Sequence, residues 1–295
     1  MNLAQVTALN EDEARDYLEG IRWPNGATCP HCGSKECKKL EGKSTRPGLY
    51  KCKSKECRKQ FTVTVGTIFE RSHISLRHWV IAFHLMCSSK KGISAHQLHR
   101  NLGITYKSAW FMCHRIRHAL ANGPFPDKLK GTVEVDETYV GGKSRHGSGK
   151  FGRGTSKTPV VALVQRNGNV RTKVLSRVTK KELRKEIMEN VDTSATLMTD
   201  EYPSYISIGK EFPRHGRIRH KSRKYAVGDV TTNTVESFFA LLKRGHYGIF
   251  HHFGKQHLQR YCDEFSFRWD HRKSSDSARR DAAIGMTAGK RLMYG

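Results

Sequence analysis

The sequence predicts a mixed α/β domain preceded by a small cysteine-rich ribbon and a helical region. Three observations carry that expectation. Paired cysteines are confined to the N-terminal stretch, helical periodicity runs from Ile74 to Leu120, and beyond it short apolar strands alternate with amphipathic helices. Charge constrains the partner. Of 295 residues, 53 are Lys or Arg and 27 are Asp or Glu, a formal net charge of +26. This exceeds the needs of solubility and points to a polyanion, most simply nucleic acid, although ribosomal and membrane-surface proteins reach similar charge. No run of 18 apolar residues exists, and the N-terminus MNLAQVTALNEDEARDYLEG is acidic without an apolar signal core. A soluble cytoplasmic protein with no membrane partner is expected.

Residues 11–20, EDEARDYLEG, read as a short amphipathic helix. Five of the eight cysteines then fall between positions 29 and 57. Cys29-Pro-His-Cys32 is one knuckle, and Cys52 and Cys57 form a second pair with a four-residue gap. Clustering of this kind in an intracellular chain favours metal over disulfide. Structural zinc on Cys29, Cys32, Cys52 and Cys57 is the expectation, with Cys37 or His31 able to replace one ligand because the second gap is long. A redox CxxC or unliganded thiols are the plainer alternative. Phe61 to Val65 alternates like a strand and closes the ribbon at Gly66.

Three helices are predicted next. LRHWVIAFHLMCSSKKG is the first; SAHQLHRNLG is the second, with Ser94 as N-cap and Gly103 beyond its end; TYKSAWFMCHRIRHAL is the third. A helix, a Gly-ended turn and a basic third helix amount to a helix-turn-helix arrangement, with Tyr106, Lys107, Arg115 and Arg117 as DNA-facing candidates. A plain helical linker is the alternative, and Trp79, Phe83, Leu98, Trp110 and Ile116 are core on either reading. Asn122-Gly-Pro-Phe-Pro126 marks the main break. The expected domains are 1–70 (helix and ribbon), 71–125 (helical), 126–273 (α/β) and 274–295 (a poorly ordered basic tail).

Within the third domain, Gly131 to Gly142 is a short alternating strand carrying Asp136 near its end. Residues 141–157, GGKSRHGSGKFGRGTSK, are Gly-rich and basic and read as a loop, either a solvated linker or one able to close on a phosphate backbone. A hairpin turning at Asn167-Gly168 follows, then a helix capped by Thr179 with Glu182 three residues on. Ala195 to Asp200 is a strand ending on an aspartate. Residues 214–224 form a basic run. Thr231 to Gly245, TTNTVESFFALLKRG, reads as a helix with Thr231 or Thr232 as N-cap and Gly245 as its stop, placing Asn233, Glu236, Ala240 and Lys243 on one face. Lys255 to Lys273 is a last helix burying Leu258, Tyr261, Phe265 and Trp269.

Asp136, Asp200 and Glu236 are the candidate chemistry. Breaking a phosphodiester with no covalent intermediate needs an activated oxygen and a stabilised leaving oxygen. Two Mg²⁺ ions about 3.5–4 Å apart supply both when hard oxygen ligands hold them. Three carboxylates oppose the binding field of a basic protein unless a cation neutralises them; each taken alone reads equally as a turn residue or salt-bridge partner. Lys243 and Arg244, in the last turn of the same helix, are the candidates for gripping a phosphate. Glu137 and Glu201 should point to the opposite strand face or into the turn. Histidines two apart, as a His-hydrophobe-His nicking site needs, are missing among the sixteen.

The ordered blocks CPHCGS, KCKSKECRKQFTVTVGTIFERSHISLRHW, KKGISAHQL, AWFMCHRIRHAL, VEVDETYVGG, TDEYPSY, TNTVESFFALLKRGHYGIFHH and HLQRYCDEFSFRWDHR resemble bacterial insertion-sequence transposases of the DDE group, in the subgroup with an N-terminal zinc ribbon. The resemblance covers nearly the whole chain. It implies an RNase H-like catalytic domain, dependence on Mg²⁺ or Mn²⁺, and cleavage of double-stranded DNA at element ends. It further implies strand transfer to a target by the freed 3′-OH and action as a homodimer or larger assembly. The first two aspartates carry over to Asp136 and Asp200. At the third position some relatives place Asn where others place Glu, so Glu236 ranks first, seven residues before Lys243, and Asn233 second. A non-catalytic zinc-ribbon DNA-binding regulator is the main alternative, and a ribosome- or RNA-associated protein explained by charge alone is the other.

Overall fold

A computed structural model of the chain describes residues 1–121, 127–142, 157–218 and 226–293. The predicted break at 122–126, most of the Gly-rich loop at 141–157 and part of the basic run at 214–224 lie outside the described residues. The chain divides into two compact units, 1–120 with 274–295 and 121–273.

The first unit begins with two short helices, α1 (Leu3–Ala8) and α2 (Glu11–Arg22), each opened by an asparagine in a reciprocal capping box. The ribbon is a three-stranded antiparallel sheet of β1 (Cys37–Lys39), β2 (Tyr50–Cys52) and β3 (Gln60–Phe61). Its own core is slight: Phe61, with Trp23 and Tyr50 stacked or edge-on around it. The helices α3 (Leu76–Ser88), α4 (Ala95–Leu102) and α5 (Tyr106–Leu120) follow. Ser94 caps α4 by accepting the Gln97 N–H, and Gly103 takes the left-handed conformation at φ +65° that a side chain would resist.

The C-terminal segment departs from the expected tail. Asp276–Gly285 is a helix, α10, capped by Ser275 and packed on α3 and α2. Arg280 on it is fully buried, donating to the carbonyl of Met1 at 3.0 Å and to Asp281 at 2.9 Å, with its guanidinium over the Tyr17 ring. Ala283 and Ile284 are also covered. The arginines gave this stretch the composition of a solvated tail, yet long Arg stems bury readily when the head group finds acceptors. Residues 1–120 and 274–295 fall in the same compact unit.

The second unit is a five-stranded mixed sheet in the order β6-β5-β4-β7-β8. Its strands are β4 (Thr132–Val140), β5 (Thr158–Gln165), β6 (Val170–Val174), β7 (Thr196–Thr199) and β8 (Arg214–Arg217). The first three run antiparallel as a meander, and β7 and β8 lie parallel beyond β4. One face carries α6 (Lys180–Asn190) and α7 (Pro203–Gly209) over Val133, Val135, Leu163 and Leu197. The other carries α8 (Asn233–Gly245) and α9 (Leu258–Asp270) over Val140, Val160, Ala162 and Val164. A meander of three strands extended by two parallel ones, with helices on both faces, is an RNase H-like fold.

The start of α8 follows expectation, with Thr232 in the N-cap position, and its end does not. A small hairpin of β9 (Ala226–Val227) and β10 (Val230–Thr231) leads into it, so the helix starts at Asn233. Gly245 does not stop it. Gly245 is buried at a helical φ of −65°, and the chain runs on through a π-helical turn, His246–Phe250, until His251 at φ +58°.

Candidate active site and metal centre

Strand alternation sends Val133 and Val135 into the α6/α7 core and turns Glu134, Asp136, Thr138 and Val140 toward α8 and α9. The parallel pairing of β4 with β7 aligns Val135 with Thr199. Asp136 and Asp200 each come one residue later. They therefore stand side by side on neighbouring strands about 4.8 Å apart, where β7 ends against the middle of β4. Asp136 is central in the nine-residue β4 and not near its end as expected, because pairing with β5 carries the strand on to Val140. The Asp200 carboxylate accepts the Tyr202 N–H at 2.9 Å, which turns the chain away from the sheet.

Asp136 reports its surroundings through its acidity, which is pushed up to about 8. Burial is the main cause and Glu137 the next. The Glu137 N–H, bonded to Asp136 Oδ1 at 2.8 Å, works the other way, and the charges of Asp200 and Glu236 raise the value further. The charges of the other two predicted acids thus both act on the half-buried Asp136 carboxyl. Glu137 itself faces the opposite side of the strand, where the buried Tyr205 donates its phenolic O–H at 2.7 Å. Burial beside Glu137 holds that phenol protonated.

Glu236 sits in the first turn of α8, half-buried, and accepts a hydrogen bond from the Thr232 hydroxyl at 2.9 Å. Asn233 opens the helix and is exposed. Lys243 and Arg244 lie exposed in the last turn. Hard oxygens that repel one another in a desolvated place fit a divalent cation, which relieves the repulsion. Sequence reasoning passed over Glu134. It occupies the same face of β4 as Asp136 and is fully buried. An acid at an inward-facing position of an alternating strand was the available signal.

The ribbon gathers Cys29, Cys32, Cys52 and Cys57 with all four sulfurs within 4.8 Å of one another. Cys29 and Cys57 are 3.8 Å apart, Cys32 and Cys52 3.6 Å. Tetrahedral zinc with bonds of about 2.3 Å places its sulfurs about 3.8 Å apart, so the thiols fit the ion closely. Among the described residues, these cysteines alone meet so tight a limit; the three acids stand wider. Cys37 is outside the set, its Sγ directed at the Ser34 carbonyl at 3.4 Å, and His31 is likewise no member.

Two of the predicted DNA-facing residues are misplaced. Arg115 is 7% exposed and donates to the carbonyls of Ile68 at 2.7 Å and Glu70 at 3.2 Å, over the Phe111 ring. Arg117 is 2% exposed. They lie in the C-terminal half of α5, Arg117 in its last turn, among the buried Met112, Cys113, His114, Ile116 and Ala119, and were read as surface because they are basic. Tyr106 and Lys107, at the start of the helix, are exposed, and the Tyr106 ring stacks on His96 at 4.2 Å.

A cysteine-held ribbon together with an RNase H-like domain that sets two aspartates side by side fits the class of zinc-ribbon transposases. Comparison with known proteins agrees. The ISXO2-like transposase domain matches residues 128–270 and the transposase zinc-ribbon domain matches residues 9–60. A protein of Halobacterium salinarum described as "Uncharacterized protein in transposable element ISH50" is 31% identical over 281 residues, covering 89% of this chain and 92% of that one. The chain belongs to the ISXO2-like transposase family, with its N-terminal zinc ribbon.

Two outcomes follow from this geometry. Cys37→Ser retains one zinc per chain by metal analysis, whereas Cys29→Ser with Cys32→Ser loses it along with the order of residues 29–57; zinc loss in Cys37→Ser would contradict the assigned set. The second concerns Asp136. A carboxyl whose folded value is raised contributes stability that is complete below its unfolded value, near 4, and lost as pH climbs to about 8. In zinc-loaded protein with no Mg²⁺ or Mn²⁺ added, Asp136→Asn therefore raises Tm most at pH 8 to 9, and the gain shrinks toward pH 4. A gain that does not vary with pH in thermal melts would contradict the shift.

Proposed function

We propose that this transposase cuts double-stranded DNA at the ends of a mobile element and joins the freed 3′-OH to a target, using divalent cations held by Asp136, Asp200 and Glu236. The observation that carries this is the strand pairing that sets Asp136 beside Asp200, with Glu236 in the first turn of the helix packed on β4 and its charge acting on Asp136. Bound there, Mg²⁺ or Mn²⁺ supplies activation of the attacking oxygen and stabilisation of the leaving one. Asp136 gives up its proton on cation binding, so loading strengthens as pH rises. Glu236 is the third ligand in preference to Asn233, since it carries full charge and two oxygens and is felt by Asp136.

Lys243 and Arg244 project from the same helix about two turns beyond Glu236, where they hold the phosphates flanking the scissile bond. On the ribbon, Lys38 stands directly opposite Lys51 across β1 and β2, with Lys53 and Arg58 lining the same exposed groove. Like charges facing across strands destabilise a sheet unless an anion offsets them, which supports this face and the start of α5 (Tyr106, Lys107) as the surfaces that bind DNA. The mobile-element description of the Halobacterium salinarum relative supports the same substrate.

Strand cleavage and joining of element-end DNA in Mg²⁺ tests the reading. Wild type is active; Asp136→Asn and Asp200→Asn lose at least about 10²-fold while retaining DNA binding and the melting behaviour of a folded protein. Equal inertness of wild type and variants, with DNA binding intact, would indicate a regulator without catalysis.

A further inference from the structure

The acid two positions before Asp136 has no part in the chemistry above, yet it is the most completely engaged carboxylate of β4. Glu134 is fully buried. Its Oε1 accepts from Arg166 Nε at 2.7 Å and from the Thr234 hydroxyl at 2.9 Å. Its Oε2 accepts the N–H groups of Thr234 at 2.7 Å and Val235 at 3.0 Å. Thr234 and Val235 are the second and third residues of α8, whose N–H groups have no acceptor within the helix. A side chain just before a helix usually fills that role. Thr232 occupies the position, but its hydroxyl donates to Glu236 Oε1 instead. The cap of α8 is therefore delivered by a strand 100 residues earlier in the chain.

Arg166 extends the clamp. Besides Glu134 it donates to the carbonyls of Asp229 at 2.9 Å and Thr231 at 3.0 Å, the backbone that leads into α8. Glu134 and Asp136 share one face of β4, about 7 Å apart along the strand. The first turn of α8 is thus tied to the strand that carries the first aspartate, and Glu236 rides on that turn.

We propose that Glu134, held by Arg166, is a positioning residue that fixes the start of α8 against β4 and thereby sets where Glu236 stands and how tightly the carboxylate site binds a divalent cation. This rests on Asp136, Asp200 and Glu236 being cation ligands. A cap that served stability alone would hold α8 together without affecting cation affinity, and the two roles separate by experiment.

The test is Mn²⁺ binding to the zinc-loaded full chain, followed by electron paramagnetic resonance of the free ion, with thermal melts run in parallel. Glu134→Gln keeps the side-chain size but leaves one acceptor oxygen for four donors, and Arg166→Lys keeps the charge but cannot reach all three acceptors. Each weakens Mn²⁺ binding about tenfold or more in protein that remains folded at the assay temperature. Because Glu134 acts through Glu236, adding Glu134→Gln to Glu236→Gln weakens binding no further than Glu236→Gln alone. Wild-type affinity in folded Glu134→Gln and Arg166→Lys overturns the proposal, as does an undiminished loss when Glu134→Gln is placed on Glu236→Gln. Should Glu134→Gln fail to fold, Arg166→Lys and Thr234→Ala, which leave the buried carboxylate in place, decide by the same affinity criterion. Asp136→Asn separates the two levels: if it also binds Mn²⁺ like wild type, the ligand assignment falls and the positioning role with it. If it loses binding while Glu134→Gln does not, only the positioning role is lost.

Discussion

Parallel pairing of β4 with β7 sets Asp136 beside Asp200 in the interior of the sheet, where burial first, then Glu137, and then Asp200 and Glu236 disfavour the charge on Asp136. Two carboxylates on adjacent strands cost stability in the metal-free protein. The fold bears this because the same strands bury Val133, Val135, Val161 and Leu197 on one face and Val160, Ala162 and Val164 on the other. Each fully covered aliphatic side chain of this size contributes about 1.5–3 kcal/mol, so the two layers together outweigh one strained acid.

Positive charge dominates the chain, yet the acids of the second unit are not simply neutralised by it. Arg166 is directed to Glu134 and Arg268 to Glu264, while Arg171 faces Asp270 at 3.7 Å. These partners belong to the scaffold. Breaking such a buried pair by removing one member typically costs about 3–5 kcal/mol, which explains why a protein this basic still commits arginines to its interior. Arg280 in the first unit follows the same logic, with a carbonyl and a carboxylate as acceptors.

The elements that carry the candidate residues were legible in the sequence because their signals are local. Strand alternation around Asp136 and the turn after Asp200 needed no tertiary knowledge, and paired cysteines declare a ribbon by spacing. What escaped needed long-range contacts. Glu134 looks like any acid of an alternating strand until α8 arrives 100 residues later and makes its N–H groups available. Arg115 and Arg117 read as surface because arginine usually is; Arg115 finds its acceptors in the carbonyls of Ile68 and Glu70, which no pattern within α5 reveals. The segment from Ser274 misled for the same reason, its arginines finding acceptors at Met1 and Cys87. Gly245 carries a helix-stop signal that packing overrides, because the chain continues helically on a buried glycine.

The central claim is that Asp136 and Asp200 share a cation that relieves their enforced proximity. Anomalous diffraction from crystals grown in Mn²⁺ tests it most directly. A manganese peak in bonding contact with carboxylate oxygens of both aspartates, with Glu236 turned toward it, is the predicted result. Saturating Mn²⁺ with no peak between the two aspartates, or a lysine or arginine seated there in its place, would contradict it.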